Sequence, residues 1–116
     1  MIENIEQQAA TFNALADPTR LKLLRLLSNQ KEQDALCVGA LTGLLGISQP
    51  AVSQHLRILK SAGLVKGQRR GYHIHYSIDI EALRRCQNLV AGIISQGKQT
   101  DGDPCAGCRK GKNRKV

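Results

Sequence analysis

The chain has 116 residues, of which 41% are hydrophobic and 22% charged; this fits one globular domain and excludes a large multidomain enzyme or a wholly disordered chain. Lys and Arg number 17 against 9 Asp and Glu, a formal charge of +8, so nucleic acid or an anionic surface leads the partner classes. Aromatic residues are 3%, with no Trp, which disfavours a stacking platform for single strands.

The first ten residues carry acids and lack a basic region followed by an apolar one, so no secretory signal is expected. No apolar run approaches the roughly 18 residues that span a bilayer. The expectation is a cytoplasmic protein with no membrane association and reduced thiols.

In chain order, Ile2, Ile5, Ala9, Phe12 and Ala16 recur at spacings of three and four and predict an amphipathic helix over 2–16. Asp17 reads as an N-cap and Pro18 as the first residue of a second helix, which runs to about Ser28. Leu21, Leu24 and Leu27 share one face, with Leu23 and Leu26 beside it. After a polar break at 29–34, a third helix is predicted from about Cys37 to Leu45, closed by Gly46. Ser48 caps a fourth helix over 49–61, with Pro50 in its first turn and Val52, Leu56 and Leu59 facing inward. Two short helices joined by Gly46-Ile47-Ser48 carry the mark of a helix-turn-helix.

From Tyr72 to Ile78 polar and apolar residues alternate with strand period. With Leu64–Gly71 before them they read as a two-stranded hairpin, a wing whose tip, between Gly67 and Gly71, holds Arg69 and Arg70. Tyr72 and Tyr76 are expected against the helices or the wing base, and His73 and His75 on one strand face in structural roles. Asp79 starts a last helix with Ile80, Leu83, Val90 and Ile94 along one side. The organisation is a winged-helix domain over 1–96 and a flexible basic tail over 97–116. The fold class is mainly α: a winged helix-turn-helix with a two-stranded β-hairpin wing, dimerising through its terminal helices.

No Asp or Glu occurs between Ala35 and Ile78, so phosphates meet no carboxylate there. Ser48, Gln49, Ser53, Gln54 and His55 decorate the start and outer face of the fourth helix, where amides and hydroxyls can pair with base edges in the major groove. Arg57 and Lys60 suit phosphates. Arg69 and Arg70 suit the minor groove or its backbone.

The runs Asp17-Pro18-Thr19-Arg20-Leu21, Leu36-Cys37-Val38-Gly39-Ala40-Leu41, Ser48–Leu56 and Leu59–Val65, in that order, resemble the ArsR family of metal- and metalloid-sensing transcriptional repressors over roughly residues 5–95. The resemblance implies a homodimer built largely from the first and last helices, bound to a palindromic double-stranded operator and released by its inducer. It implies no catalytic activity.

The thiols are Cys37, Cys86, Cys105 and Cys108. Cys105 and Cys108 form a Cys-x-x-Cys, a spacing that puts two thiolates on one soft ion or closes a disulfide. The family often has a second Cys and an Asp where this chain has Gly39 and Ala40. The tail pair can supply the lost ligand, so Cys37, Cys105 and Cys108 are the expected three-thiolate metal site. Three sulfurs suit As(III) or Sb(III), and by the same softness Cd(II), Pb(II) or Hg(II), with Zn(II) ranked behind. Cys86 reads first as a core or dimer-face residue and second as an accessory thiol. Some relatives sense zinc or nickel through Asp and His on the last helix. Asp79 matches, but residues 80–96 contain no His, which disfavours that type.

The rival readings are a thiol-redox or sulfide-responsive repressor, a small thiol enzyme, and a protein–protein adaptor on a winged helix. A Cys-x-x-Cys in a polar tail, away from a strand–helix scaffold, argues against the enzyme.

Overall fold

The computed structural model describes residues 4–29 and 36–96. They fall into two compact units that meet between Cys86 and Gln87.

In the first unit, Asn4 opens helix α1 (Ile5–Leu15) through a capping box: its side chain accepts from the Gln7 N–H and the Gln7 side chain returns to the Asn4 N–H. The predicted start at residue 2 gives way to this cap. Asp17 caps α2 (Pro18–Ser28), with its carboxylate accepting from the N–H of Thr19 at 2.9 Å and of Arg20 at 3.1 Å. Leu36–Cys37 forms a short strand, β1, and Val38–Leu45 forms α3. Cys37 therefore precedes the third helix as its N-cap residue instead of opening it.

Gly46 ends α3 at φ 71°, in the left-handed region, and its N–H reaches the Thr42 carbonyl at 2.9 Å. Ser48 then caps α4 (Gln49–Ser61) by accepting from the Ala51 N–H at 3.3 Å. Strands β2 (Val65–Arg70) and β3 (His73–Ile78) follow, and Asp79 caps α5 (Ile80–Gln96) by accepting from the Ala82 N–H at 3.2 Å.

The sheet has three antiparallel strands in the order β1-β3-β2, so β1 adds a strand that the predicted hairpin lacked. Two residues with no hydrophobic alternation are too short a signal to read in the sequence. Val65 pairs with Ile78 at the base and Arg70 with His73 at the far end. The turn is therefore Gly71-Tyr72, with Gly71 at φ 65°, as two-residue hairpin turns require. Gly67 lies inside β2, not at the tip. A Cβ there would come within 3.0 Å of the Ile74 methyl and 3.2 Å of the Tyr76 ring, so glycine lets those side chains lie across the strand.

Leu23, Leu41, Val52, Leu56, Leu59 and Leu64 are fully buried and join α2, α3, α4 and the wing base. Each contributes about 1.5–3 kcal/mol of transfer free energy. Tyr76 packs against this core, as expected, but Tyr72 is 99% exposed. The turn places Tyr72 beyond the last strand pair, where no helix can cover it. The apolar stripe of α1 is rotated from the expected one, with Ala14 buried and Ile5 exposed, whereas α2 buries Leu24 and Leu27 as expected, with Leu23 beside them, and departs only at Leu21, which is exposed.

In α5, Ala82 and Cys86 are buried and Leu83 is half-buried, but Ile80 is exposed. The described part of the second unit is the rest of α5, where Val90, Ile93 and Ile94 are exposed. No described helix is long and apolar enough to cross a membrane.

Candidate nucleic-acid interface and thiol site

The outer surface of α4 follows from its helical period. Val52, Leu56 and Leu59 take the buried face, which leaves Gln49, Gln54, Arg57 and Lys60 exposed and Ser53 half-buried. Gln49 and Ser53 line an open groove of about 480 Å³ between this helix and the wing, which Cys37, Tyr72, His73 and Tyr76 also line. Ser48 is exposed, but its oxygen is engaged in the helix cap, leaving its hydroxyl proton as a donor.

His55 sits on the other edge of the helix, against α2. Its Nδ1 lies 3.3 Å from Arg20 Nη1 and 3.8 Å from Asp17 Oδ2. Arg20 is an obligate donor, so at 3.3 Å the imidazole Nδ1 accepts, and the longer Asp17 approach is secondary. Arg20 also donates through Nε to the Ala14 carbonyl at 2.6 Å and through Nη2 to the Asn13 carbonyl at 3.4 Å. One guanidinium thus closes the end of α1, where cations are favoured, and holds a side chain of α4. The Arg20 backbone N–H holds the Asp17 carboxyl below its ordinary range, opposed by partial burial and assisted by the Arg20 charge and the Thr19 N–H. The role of Arg20 was not foreseen, because a contact 35 residues away leaves no mark on local pattern.

Arg69 and Arg70 are exposed at the end of β2, beside the turn. Tyr72 at the tip was not singled out for binding. The Gly-x pair between alternating residues was its available signal. Lys66 extends the same cationic edge.

Cys37 is half-buried, its side chain caps no backbone N–H, and it forms no disulfide among the described residues. A Cβ at Gly39 would lie 4.0 Å from its sulfur, so position 39 is within reach of Cys37 but offers no donor here. Cys105 and Cys108, and the tail over 97–116, lie outside the described residues. Cys86 is 7% exposed and belongs to the core cluster. Among the described residues no group of three or more His, Cys, Asp or Glu side chains is placed to hold a metal.

The profile of the bacterial regulatory proteins of the arsR family matches residues 17–66. A relative named transcriptional repressor SmtB homolog, from Synechocystis sp., is 43% identical over 100 residues, covering 86% of this chain and 70% of that protein. The arsenic resistance transcriptional regulator ArsR1 of Pseudomonas putida is 32% identical over 88 residues, covering 76% of this chain and 66% of that protein. The solved structure of an ArsR-like transcriptional regulator from Rhodococcus sp. RHA1 superposes with a TM-score of 0.70 at 26% identity, over 80% of this chain and 84% of that one. With the helix-turn-helix and its cationic wing, these likenesses establish that the chain belongs to the ArsR family of winged-helix transcriptional regulators.

Proposed function

We propose that the protein is a homodimeric repressor that reads a palindromic operator with α4 and the wing and leaves it when a thiophilic metalloid, As(III) or Sb(III), binds at Cys37. The observation that carries this reading is the placement of Cys37. It stands immediately before α3 and lines the same groove as Gln49 and Ser53 of α4. A ligand there touches the elements that position the reading helix.

Gln49, Ser53 and Gln54 meet base edges, with Ser48 and His55 flanking them, and Arg57 and Lys60 meet phosphates. Arg69 and Arg70, with Tyr72 between the strands, enter the minor groove or grip its backbone. Charge reversal at Arg69 and Arg70 weakens specific and non-specific duplexes together and lowers the salt dependence of both.

Cys105 and Cys108, on a tail over 97–116, complete a three-thiolate site with Cys37, and Cys86 serves packing. The ion shifts the dimer only by binding the DNA-incompetent arrangement more tightly. A near-complete switch takes on the order of 10⁴-fold preference. Relatives named for arsenic resistance support a thiophilic inducer.

The test is a titration of reduced protein on operator DNA with As(III), Sb(III), Cd(II), Pb(II), Hg(II) and Zn(II), repeated with Cys37→Ser, Cys105→Ser and Cys108→Ser. Release by As(III) at the lowest concentration, lost in the variants, is expected. Unchanged inducer affinity in all three would reject the thiolate site. Release on oxidation but by no ion would assign a redox sensor instead.

A further inference from the structure

We propose that His55, Arg20 and Asp17 form a proton-operated link, in which His55 exchanges Arg20 for Asp17 on protonation and the operator is held more tightly as pH falls from about 8 to about 6. The inference rests on the reading of α4 as the operator-contacting helix and adds a regulation of it.

One ring nitrogen carries two competing contacts. His55 Nδ1 lies 3.3 Å from Arg20 Nη1 and 3.8 Å from Asp17 Oδ2. The guanidinium only donates and the carboxylate only accepts, so the nitrogen satisfies one of them at a time. A neutral imidazole accepts from Arg20 at Nδ1 and carries its hydrogen on Nε2. A proton taken from solvent at Nδ1 removes the acceptor, sets two cations side by side and turns the same atom into a donor to Asp17. Shortening the 3.8 Å approach by about 1 Å completes a charge-assisted bond.

The surroundings leave the choice to these three groups. The side chains of His55 and Asp17 are 22% and 30% exposed, so solvent delivers the proton. From α1 the carbonyls of Ala14 and Asn13 engage Arg20. On α4 the positions one turn from His55, Ala51, Val52, Ile58 and Leu59, carry no charge. Helix α3 has no ionisable side chain; α2 adds Lys22 and Arg25 farther along, and β2, which follows the C-terminal end of α4, adds Lys66, Arg69 and Arg70. Asp17 keeps its charge where histidines titrate, because the Arg20 N–H holds its carboxyl below the ordinary value.

Both partners stand at the start of α2, so the exchange keeps α4 tethered while the charge beside the DNA changes. With neutral His55, Arg20 and Asp17 balance. The imidazolium raises the local charge by one and frees Arg20 Nη1 to donate to a phosphate. Operator phosphates favour that form, and by linkage affinity rises as pH falls.

The experiment uses the reduced full-length chain and a fluorescein-labelled duplex that the protein selects from a random-sequence pool. Anisotropy titrations run across this pH range at fixed ionic strength, and long-range proton–nitrogen correlations in the free protein follow the His55 ring. Affinity should tighten by about three- to tenfold from the upper to the lower pH, with a salt slope steeper by about one. His55→Gln, whose side-chain carbonyl still accepts from Arg20, should abolish both changes. The pH of the change should fall in Asp17→Asn, which leaves the imidazolium against Arg20 alone, and rise in Arg20→Met. A merely structural contact would alter affinity in these variants without moving that pH. Wild-type pH dependence retained in His55→Gln would assign it to His73 and His75 of the wing and overturns the proposal, as does level affinity while the His55 ring titrates. Failure to select any duplex at any pH rejects α4 as the reader and the proposal with it, and the ring shifts of the free protein tell that failure from an absent partner exchange.

Discussion

Arg20 links three parts of the chain with one side chain. Its guanidinium bonds the carbonyls of Ala14 and Asn13 and the imidazole of His55. Arg20→Met keeps the aliphatic stem and removes these bonds. A loss of about 1.5 kcal/mol is expected by denaturant titration, the lower end for charge-assisted bonds because the site is partly exposed. Operator affinity should fall as well, since His55 is released, and Lys should rescue it poorly because it lacks the planar fork. Asp17 gives a pH prediction. Its carboxyl is held below the ordinary value of 3.8, chiefly by the Arg20 N–H. The folded state therefore binds that proton less readily than the unfolded one. The stabilisation is present above the unfolded pKa and is lost as pH falls through the lower folded one. Asp17→Asn still caps the helix but carries no titrating charge, so thermal melts from pH 6 downward should show a flatter acid limb; an unchanged limb would remove Asp17 from acid sensitivity.

Among the elements, the helix-turn-helix was legible because each of its parts is a local signal. Gly46, Ser48 and Pro50 punctuate two apolar runs; the observed caps fall on Gly46 and Ser48, and Pro50 lies in the first turn of α4. Gly46 is held at φ 71° with nothing within 4 Å of where a Cβ would stand. The cost of Gly46→Ala is therefore one of backbone conformation alone, about 1–2 kcal/mol. Circular dichroism melts should register it, together with weaker operator binding as α4 tilts. The wing was legible in outline but not in register. Two glycines bracket the arginines, which the sequence places at the tip; the pairing runs on to Arg70 and His73, so Gly67 is a strand residue and the turn is Gly71-Tyr72. Strand β1 was not legible at all. It exists because β3 presents an edge to Leu36 and Cys37, a long-range pairing with no local code.

At the scale of the molecule, apolar residues remain on the terminal helices. Ile5 of α1 is 73% exposed, and Ile93 and Ile94 of α5 are 72% and 65% exposed. Exposed apolar groups in such number fit the proposed homodimer, since a chain of 116 residues gains core from a second copy. Ile93→Glu with Ile94→Glu removes apolar burial of about 1.5–3 kcal/mol per fully buried side chain. Sedimentation equilibrium should show the dimer weakened by about a hundredfold or more, and operator affinity should fall with it. An unchanged dimer would place the interface elsewhere.

The sequence by itself determined the helices, their caps, the acid-free cationic stretch and the resemblance to a DNA-reading family, because period, capping chemistry and charge act over a few residues. The thiols were visible too, as residue types. Only the tertiary structure decided their company and that of the histidines. It set Cys37 opposite His75 across strands, turned His55 onto Arg20 and left Tyr72 bare at the wing tip. Those placements depend on which strand edges pair and which helix faces bury. Such choices are settled by packing between residues far apart in the chain, which no local pattern records.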